Sequence, residues 1–561
     1  MSEQGDTPRS GGPAAGSGGR GRAGARSGAR AAAKGGEKGG EKAPARGAAK
    51  AGARGPAKAR RKSPPGAPGA DDRRWWGRAA LLLLGVFALR LAINALGIVP
   101  VHFDEAQYWV YAEALDLGYY SKPPLTAWLI RLSTELLGLS DFSLRFFSPV
   151  AHLAIGALIF AAARRLWDAR TGFWAAALYT AAPGVSVSAM LMTTDPPMMA
   201  GWALALWALT RAMTAQGRGA LGWWALAGLG LGLGLLAKYT AIAFALSALG
   251  YALFARQGPA DRRARMGAAA MAATALAVLA PNLWWNATHG FATIAHLSEN
   301  AELARAGLRP GKLAEFLAAQ LGVFGPVAFA ALLAGLWRVA RARGWRGDWR
   351  ARLAAWMSAP LLAAMCVQAL LSQANPNWAA PAYVAGAILA ARWLLERGWS
   401  RALRAHLVIG AVAAAAVLAA GALYDLAGPS LPRRFDPFKK MRDGAPLCER
   451  ALTALEEEGA DALASNDRRR LSECMYLGGL GLADIAVWDP DGAPSNHFEM
   501  TSRLEPGDGR VMVLVIQNPE QAARIARRFA RAELWEEGAF PTHADRSVAY
   551  GIWIVQGFRG Y

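Results

Sequence analysis

Between Ser2 and Arg74 the sequence contains no large apolar residue. A stretch of Gly, Ala, Pro, Ser, Lys and Arg cannot bury a core, so residues 1–74 are expected to form a disordered extension. With no apolar block before Trp75 it is not expected to act as a signal peptide. Its 17 Lys and Arg against 6 Asp and Glu carry a net +11 of the chain's +21. Such a charge fits a cytoplasmic tail touching anionic lipid better than one binding nucleic acid specifically. Cysteine is scarce as well, three in 561 residues, which excludes a framework of several disulfides. Cys366 lies in an apolar run and reads as a small packing residue. Cys448 and Cys474 could form one bridge if the part of the chain that holds them is exported, although sequence alone does not bring their sulfurs together. His289 and His296, seven apart, are no metal motif. Gly228, Gly230, Gly232 and Gly234 lack both the Gly-x-Gly-x-x-Gly spacing and a preceding strand, so close helix packing explains them better than a dinucleotide loop. Asn286-Ala287-Thr288 matches a glycosylation sequon, a pattern too short to carry weight.

What the chain does have is apolar residues in blocks. It is 54% hydrophobic with 22 Trp. Runs such as Ala79–Ile98 and Ala405–Leu423 are about 20 residues long, enough to cross the hydrocarbon as helices. Trp76, Trp223, Trp224, Trp284, Trp285 and Trp378 fall near the ends of such runs, where interfacial anchoring puts them. Arg90 lies inside the first run and must snorkel or find a partner. Crossings are expected near 79–98, 146–164, 172–190, 197–213, 221–237, 239–255, 267–285, 316–337, 354–373, 379–395 and 405–424. That makes about eleven transmembrane helices.

Basic connections at Arg164–Arg170, Arg211–Arg218, Arg256–Arg265, Arg338–Arg352 and Arg392–Arg404 alternate with connections poor in Lys and Arg, and these read as cytoplasmic. An odd count puts the N-terminus inside and the C-terminus outside. The consequence concerns the polar residues: Asp104, Glu105, Lys122, Arg145, Asp195, Lys238, His289, His296, Asn375 and Asn377 all come out at the external face. Within Val101–Pro124, Asp104-Glu105 should lie just outside the hydrocarbon, where a carboxylate's basicity is tunable. Pro123 and Pro124 should stiffen the turn that carries Lys122. Lys238 falls at the apex between two short apolar segments.

The composition changes after Asp425. Residues 425–447 read as a linker and 451–458 as a helix. Strand-like pieces follow at 485–488, 511–516 and 549–555, with a helical stretch at 519–529. A small α/β domain over 448–561, on the periplasmic side, is the expectation. It would follow a transmembrane domain over 75–424. Asp467–Arg470 and Asn496-His497 read as solvated polar faces.

The stretches His102–Trp109, Gly118–Leu125, Thr193–Pro197, Gly234–Ala241 and Asn375–Tyr383 resemble the bacterial members of the protein O-mannosyltransferase-like group of membrane glycosyltransferases of GT-C fold. That group includes the lipid A aminoarabinose transferase and the rhizobial core galacturonosyltransferases. The Cys474–Tyr476 and Asn496–Met500 neighbourhoods are similar to the exported domain of some members. The resemblance implies a multi-pass protein of the bacterial inner membrane that moves a sugar from a polyprenyl-phosphate donor to lipid A, another glycan or protein, with inversion. By the same resemblance Asp104 is the first-loop catalytic acid residue, Asp195 the second acidic position and Lys122 the phosphate-contacting lysine. Ser121 stands where the aminoarabinose transferase has a glutamate. No cofactor is certain, and a divalent metal is left open.

Glycosyl transfer needs a base for the acceptor hydroxyl, stabilisation of positive character at the sugar and neutralisation of the leaving phosphate. Asp104 is the expected base, with Asp195 beside it. Lys122, Arg145 and Lys238 are expected to hold phosphate, although Arg145 could equally anchor the helix that follows it. Glu105, Tyr108, Tyr120, His296, Asn375, Asn377 and Trp378 are expected to contact sugar or acceptor, while interfacial anchoring alone would also explain Trp378. The rival from another class is a transporter or flippase of lipid-linked sugar, which would show internal repeats and mid-membrane charges. The sequence shows no clear repeat.

Overall fold

In the computed structural model, residues 70–215, 219–255, 262–293, 307–341 and 347–561 are described. The first, Ala70–Ala95, is a helix whose Leu81, Leu84 and Leu89 remain exposed. The helix Ser400–Ala427 likewise exposes Val408, Val412 and Leu423. A helix can leave such an apolar surface open only toward hydrocarbon, where its own backbone bonds satisfy every polar group. Between these two, Ala382–Glu396 has apolar residues all round and is buried along nearly its whole length, as an inner helix of a bundle must be.

Six helical stretches are long and apolar enough to cross a membrane: 71–95, 141–166, 219–237, 262–288, 349–371 and 400–430. A seventh arises if Pro310–Val323 and Pro326–Arg341, which meet at 114°, count as one. Helix occupies all eleven expected segments among the described residues, but several pieces are shorter than a full crossing. The segment expected at 172–190 breaks after Thr180 and restarts at Pro183, whose ring sets the first turn of the short helix Pro183–Ser188. The segment expected at 316–337 breaks at Gly325, which has φ +84.

The glycines of Gly219–Ala237 do pack helices. A Cβ on Gly230 would lie 2.6 Å from the backbone nitrogen of Ala205, and one on Gly228 2.3 Å from the carbonyl oxygen of Met271. The helices 195–212 and 262–288 therefore close on either side of it. Asn286 of the sequon is fully buried and its amide donates to the Tyr239 hydroxyl, which leaves no room for a glycan. Arg90 is buried and, among the described residues, has no acidic partner: its guanidinium donates to the carbonyl of Thr180 at the end of a neighbouring helix.

The C-terminal part contains a five-stranded sheet of order β2-β1-β3-β5-β4. The strands are β1 Ala462–Ser465, β2 Ile485–Val487, β3 Val511–Ile516, β4 Phe529–His543 and β5 Arg546–Phe558. β1 lies parallel to β2 and β3, and β5 is antiparallel to both β3 and β4. Neither β1 nor β4 was anticipated; β1 is only four residues long, and β4 carries too many charges to alternate clearly. Alternation along β3 divides the core. Met512, Leu514 and Ile516 meet the helix Pro519–Ala526, whereas Val513 and Val515 face Leu447, Cys448, Leu471 and Cys474. That second face also takes in Tyr108, Trp109, Tyr111 and Tyr119 of the first loop. The sheet is thereby fastened to the loop that carries Asp104, and a disulfide joins Cys448 to Cys474 within the helical layer between them.

Candidate active site

His102 starts the helix Phe103–Glu113, and its ring nitrogen accepts from the Asp104 amide at 3.1 Å while its own amide donates to Glu105 at 3.0 Å. This reciprocal cap turns the neighbouring carboxylates in different directions. Glu105 goes inward. Its Oε1 accepts from Arg145 Nε at 2.9 Å and the Met192 amide at 2.7 Å, and its Oε2 from Arg145 Nη2 at 2.8 Å. Arg145 completes its bonds on the carbonyls of Val99 and Pro100. Both side chains are almost wholly buried, 0% and 1% exposed, and neither lines the cavity described below. The expectation that Arg145 holds phosphate and Glu105 contacts sugar is thus corrected, because each is satisfied by the other. Asp104 stays 38% exposed and faces the cavity.

That cavity has a volume of about 1400 Å³. It brings together Asp104, Tyr108, Lys122, Asp195, Lys238, Asn375, Asn377 and Trp378 from positions spread over more than half of the described chain. Asp195 opens the helix Asp195–Ala212, at its positive end. Its Oδ1 accepts from Lys238 Nζ at 2.7 Å and its Oδ2 from Asn377 Nδ2 at 2.6 Å. Lys238 can reach it because the backbone is extended there, φ −160 and ψ 127, between Gly219–Ala237 and the turn Tyr239–Ala241. Asn377 sits on the turn Pro376–Ala379, opened by Asn375. Lys122 is carried by a tight turn in which Tyr119 and Lys122 exchange backbone bonds of 3.0 and 3.3 Å. Burial, and then the nearby Lys238 charge, push the Lys122 ammonium below its ordinary proton affinity, while Asp104 and Asp195 oppose the shift. An anion placed beside the two ammonium groups would offset their mutual repulsion.

Other expected residues lie elsewhere. Tyr120 is buried but is not among the residues lining the cavity. His296 lies outside the described residues. His289 stacks on Trp285 at 4.2 Å, away from the cavity lining. The cavity lining also includes the apolar residues Val187, Leu191, Val323, Leu361, Met365 and Val417. Among the described residues no group of three or more His, Cys, Asp or Glu could hold a metal ion, and Ser121 supplies no carboxylate, so the donor set does not fit the divalent metal left open above.

The linker, the helix Arg468–Gly478 and the sheet contribute residues that sequence reasoning missed: Arg433, Lys440, Arg469, Arg470, Glu473 and Arg546 all line the cavity. Burial, against the pull of Arg470, raises the Glu473 carboxyl to about 7. The run Arg468-Arg469-Arg470 was the available signal, and reading it as a solvated face hid it. Asn496-His497 was also read as solvated. His497 is in fact buried, its ring edge-on to Tyr111 at 4.9 Å and Tyr119 at 5.4 Å, and burial lowers it to about 4.

Residues 121–285 match the family described as dolichyl-phosphate-mannose-protein mannosyltransferase. Over 445 residues the chain is 33% identical to the lipid A galacturonosyltransferase RgtD of Rhizobium johnstonii, covering 77% of this chain and 90% of that one. It is 32% identical over 184 residues to an undecaprenyl phosphate-alpha-4-amino-4-deoxy-L-arabinose arabinosyl transferase of Pseudomonas fluorescens, covering 30% and 32% of the two chains. The crystal structure of ArnT from Cupriavidus metallidurans bound to undecaprenyl phosphate superposes with a TM-score of 0.59 at 18% identity, over 85% of this chain and 98% of that one. The fold is therefore that of ArnT.

Proposed function

Since the chain belongs to the GT-C glycosyltransferases, in the family of the Rhizobium lipid A galacturonosyltransferase, we propose that it moves a sugar, with galacturonic acid the first to test, from a polyprenyl-phosphate donor to lipid A or a related glycan. The observation that carries this reading is the single cavity shared by Asp104, Lys122, Asp195 and Lys238. Asp104 takes the proton of the acceptor hydroxyl, whose oxygen attacks the anomeric carbon. The bond from that carbon to the phosphate oxygen breaks, and the electron pair leaves with the polyprenyl phosphate. Lys122 and Lys238 meet the charge that grows there. Asp195, with both oxygens engaged, orients Lys238 and Asn377. Attack opposite the departing phosphate inverts the anomeric centre. Tyr108, Asn375, Asn377 and Trp378 border the space left for sugar and acceptor, and the apolar lining residues suit the polyprenyl chain.

The reading includes eleven crossings, the membrane part over 75–424, the linker over 425–447 and a periplasmic α/β part over 448–561. The Cys448–Cys474 disulfide supports the external placement, since such bonds persist in oxidising compartments. The test is incubation of the purified protein in proteoliposomes with a panel of polyprenyl-phosphate sugars and lipid A. Consumption of the galacturonosyl donor with a matching mass gain in lipid A is expected. No consumption of any donor overturns the reading.

A further inference from the structure

The cavity holds more positive charge than the donor phosphate uses. Of its lining cations, Lys238 pairs with Asp195, Arg470 with Glu473 and Arg433 with Asp443. Four remain: Lys122, Lys440, Arg469 and Arg546, and among the described residues none has a carboxylate at ion-pair distance. Against these four stands only Asp104, the carboxylate lining the cavity that is left without a Lys or Arg partner. Lys122 belongs to the catalytic ring. Of the other three, Lys440 lies in the linker, Arg469 in the first turn of the helix Arg468–Gly478 and Arg546 at the start of β5, and the last two have braced surroundings. Arg546 opens β5 at the hairpin turn. That turn is clasped to the linker by the Ala544 amide on the Leu431 carbonyl at 3.1 Å, by the Arg433 amide on Asp545 at 2.7 Å and by His543 against Asp436 at 3.2 Å. Arg469 lies over the ring of Phe103, the residue before Asp104, at 4.9 Å. Beside it Arg470, buried by nine-tenths, is fixed by Glu473 and, with the Gln517 amide turned, by the Gln517 oxygen at 2.9 Å. Lys440, Arg469 and Arg546 are themselves exposed, so they stay open to an incoming anion while the groups around Arg469 and Arg546 are held in place.

We propose that Arg469, Arg546 and Lys440, braced by Arg470 and Arg433, form a subsite for an acidic substituent of the acceptor, a phosphate or carboxylate borne by the glycan that receives the sugar. This rests on the transferase reading and adds to it: the membrane part handles the donor, and the sheet-bearing part selects the acceptor by charge. Guanidinium groups suit such an oxyanion because their forked donors match two of its oxygens at once.

The experiment uses the full chain in detergent and three probes: diphosphorylated lipid A, the same lipid with its phosphates removed, and undecaprenyl phosphate. Binding is read by tryptophan fluorescence for wild type, Arg469→Ala, Arg546→Ala and the double variant. The subsite predicts that wild type binds the phosphorylated lipid at least tenfold more tightly than the stripped one. It also predicts that the double variant loses most of this preference while its affinity for undecaprenyl phosphate is unchanged. Equal binding of the two lipids by wild type overturns the proposal, as does loss of undecaprenyl phosphate binding in the double variant. A third arm measures transfer from galacturonosyl and galactosyl donors. If the variants lose rate only with the acidic sugar and retain the lipid preference, the cations serve the donor and the acceptor assignment fails. Because the binding contrast needs no turnover, it decides this point even if the panel of donors shows no transfer.

Discussion

The first loop and the cavity each contain an acid and a base in contact, and the two pairs behave as opposites. Glu105 and Arg145 are sealed off, with every strong hydrogen-bonding direction filled by each other or by backbone. Asp195 and Lys238 are 11% and 21% exposed, and they open on the cavity. Identical charge chemistry therefore does structural work in one place and remains available for substrate in the other. The difference arises from the backbone: the cap at His102 turns Glu105 inward, and the extended break at Lys238 turns its ammonium toward the cavity.

Mutation should separate the two pairs most sharply on the buried side. Glu105→Gln strands the Arg145 guanidinium in a dry site, and breaking a buried pair in this way costs about 3–5 kcal/mol. The variant is expected to lose thermal stability in detergent and to accumulate poorly, and Glu105→Met with Arg145→Met should recover much of the loss. In the cavity the outcome reverses. Lys238→Met and Asp104→Asn should fold as wild type but lose about 3–4 kcal/mol of transition-state stabilisation, roughly a hundredfold or more in turnover. Single-turnover transfer from a lipid-linked donor, compared with melting curves, checks both halves. A Glu105→Gln protein that is stable and merely slow, or a Lys238→Met protein that is unfolded, would reverse the assignment.

A third variant probes the joint that fastens the sheet to the first loop. His497 lies buried against Tyr111 and Tyr119, with its proton affinity lowered to about 4 from 6.5. A lowered value means that the detached form binds the proton more readily, so the stability of the joint is intact above about 6.5 and is lost as pH falls toward 4. The full loss is about 3 kcal/mol, from the size of the shift. Hydrogen exchange over residues 103–121 and 496–501, corrected for its intrinsic pH dependence, should quicken between pH 6.5 and 4.5. With His497→Phe that acceleration should disappear, and if it persists another group controls the joint.

The helical character of the membrane part was legible in the sequence because apolar runs report on it directly. Topology groups Asp104, Glu105, Lys122, Arg145, Asp195, Lys238, His289, His296, Asn375 and Asn377 at one face, and of these Asp104, Lys122, Asp195, Lys238, Asn375 and Asn377 share one cavity. Arg145 was not legible in this way. Its place beside the external loops was visible, but whether it faces substrate or Glu105 depends on a rotation that sequence spacing does not carry. The cavity residues of the sheet-bearing part were hidden for a related reason. In the basic triplet Arg468-Arg469-Arg470 the solvated reading holds for Arg469, which is exposed, and fails for Arg470, which is buried against Glu473, a distinction that composition alone does not carry.

The smallest effect is expected at Asn377, and it sharpens the account of the cavity pair. Asn377 donates to Asp195 Oδ2 at 2.6 Å while Lys238 occupies Oδ1, so the carboxylate is held on two sides. Removing the amide frees only one side. The bond is to a charged group, but Asn377 is exposed and water can replace it, so about 1–2 kcal/mol should be lost. Asn377→Ala should therefore slow turnover by about tenfold and leave the donor KM near its wild-type value, because the ammonium proposed to meet the phosphate is still in place. Asn377→Asp should be worse than Asn377→Ala, since a second carboxylate beside Asp195 would compete for Lys238 and raise the proton affinity of one of the acids. Rates for the two variants across pH distinguish the cases. If Asn377→Ala is as inactive as Lys238→Met, Asn377 acts on the reacting sugar and not through Asp195.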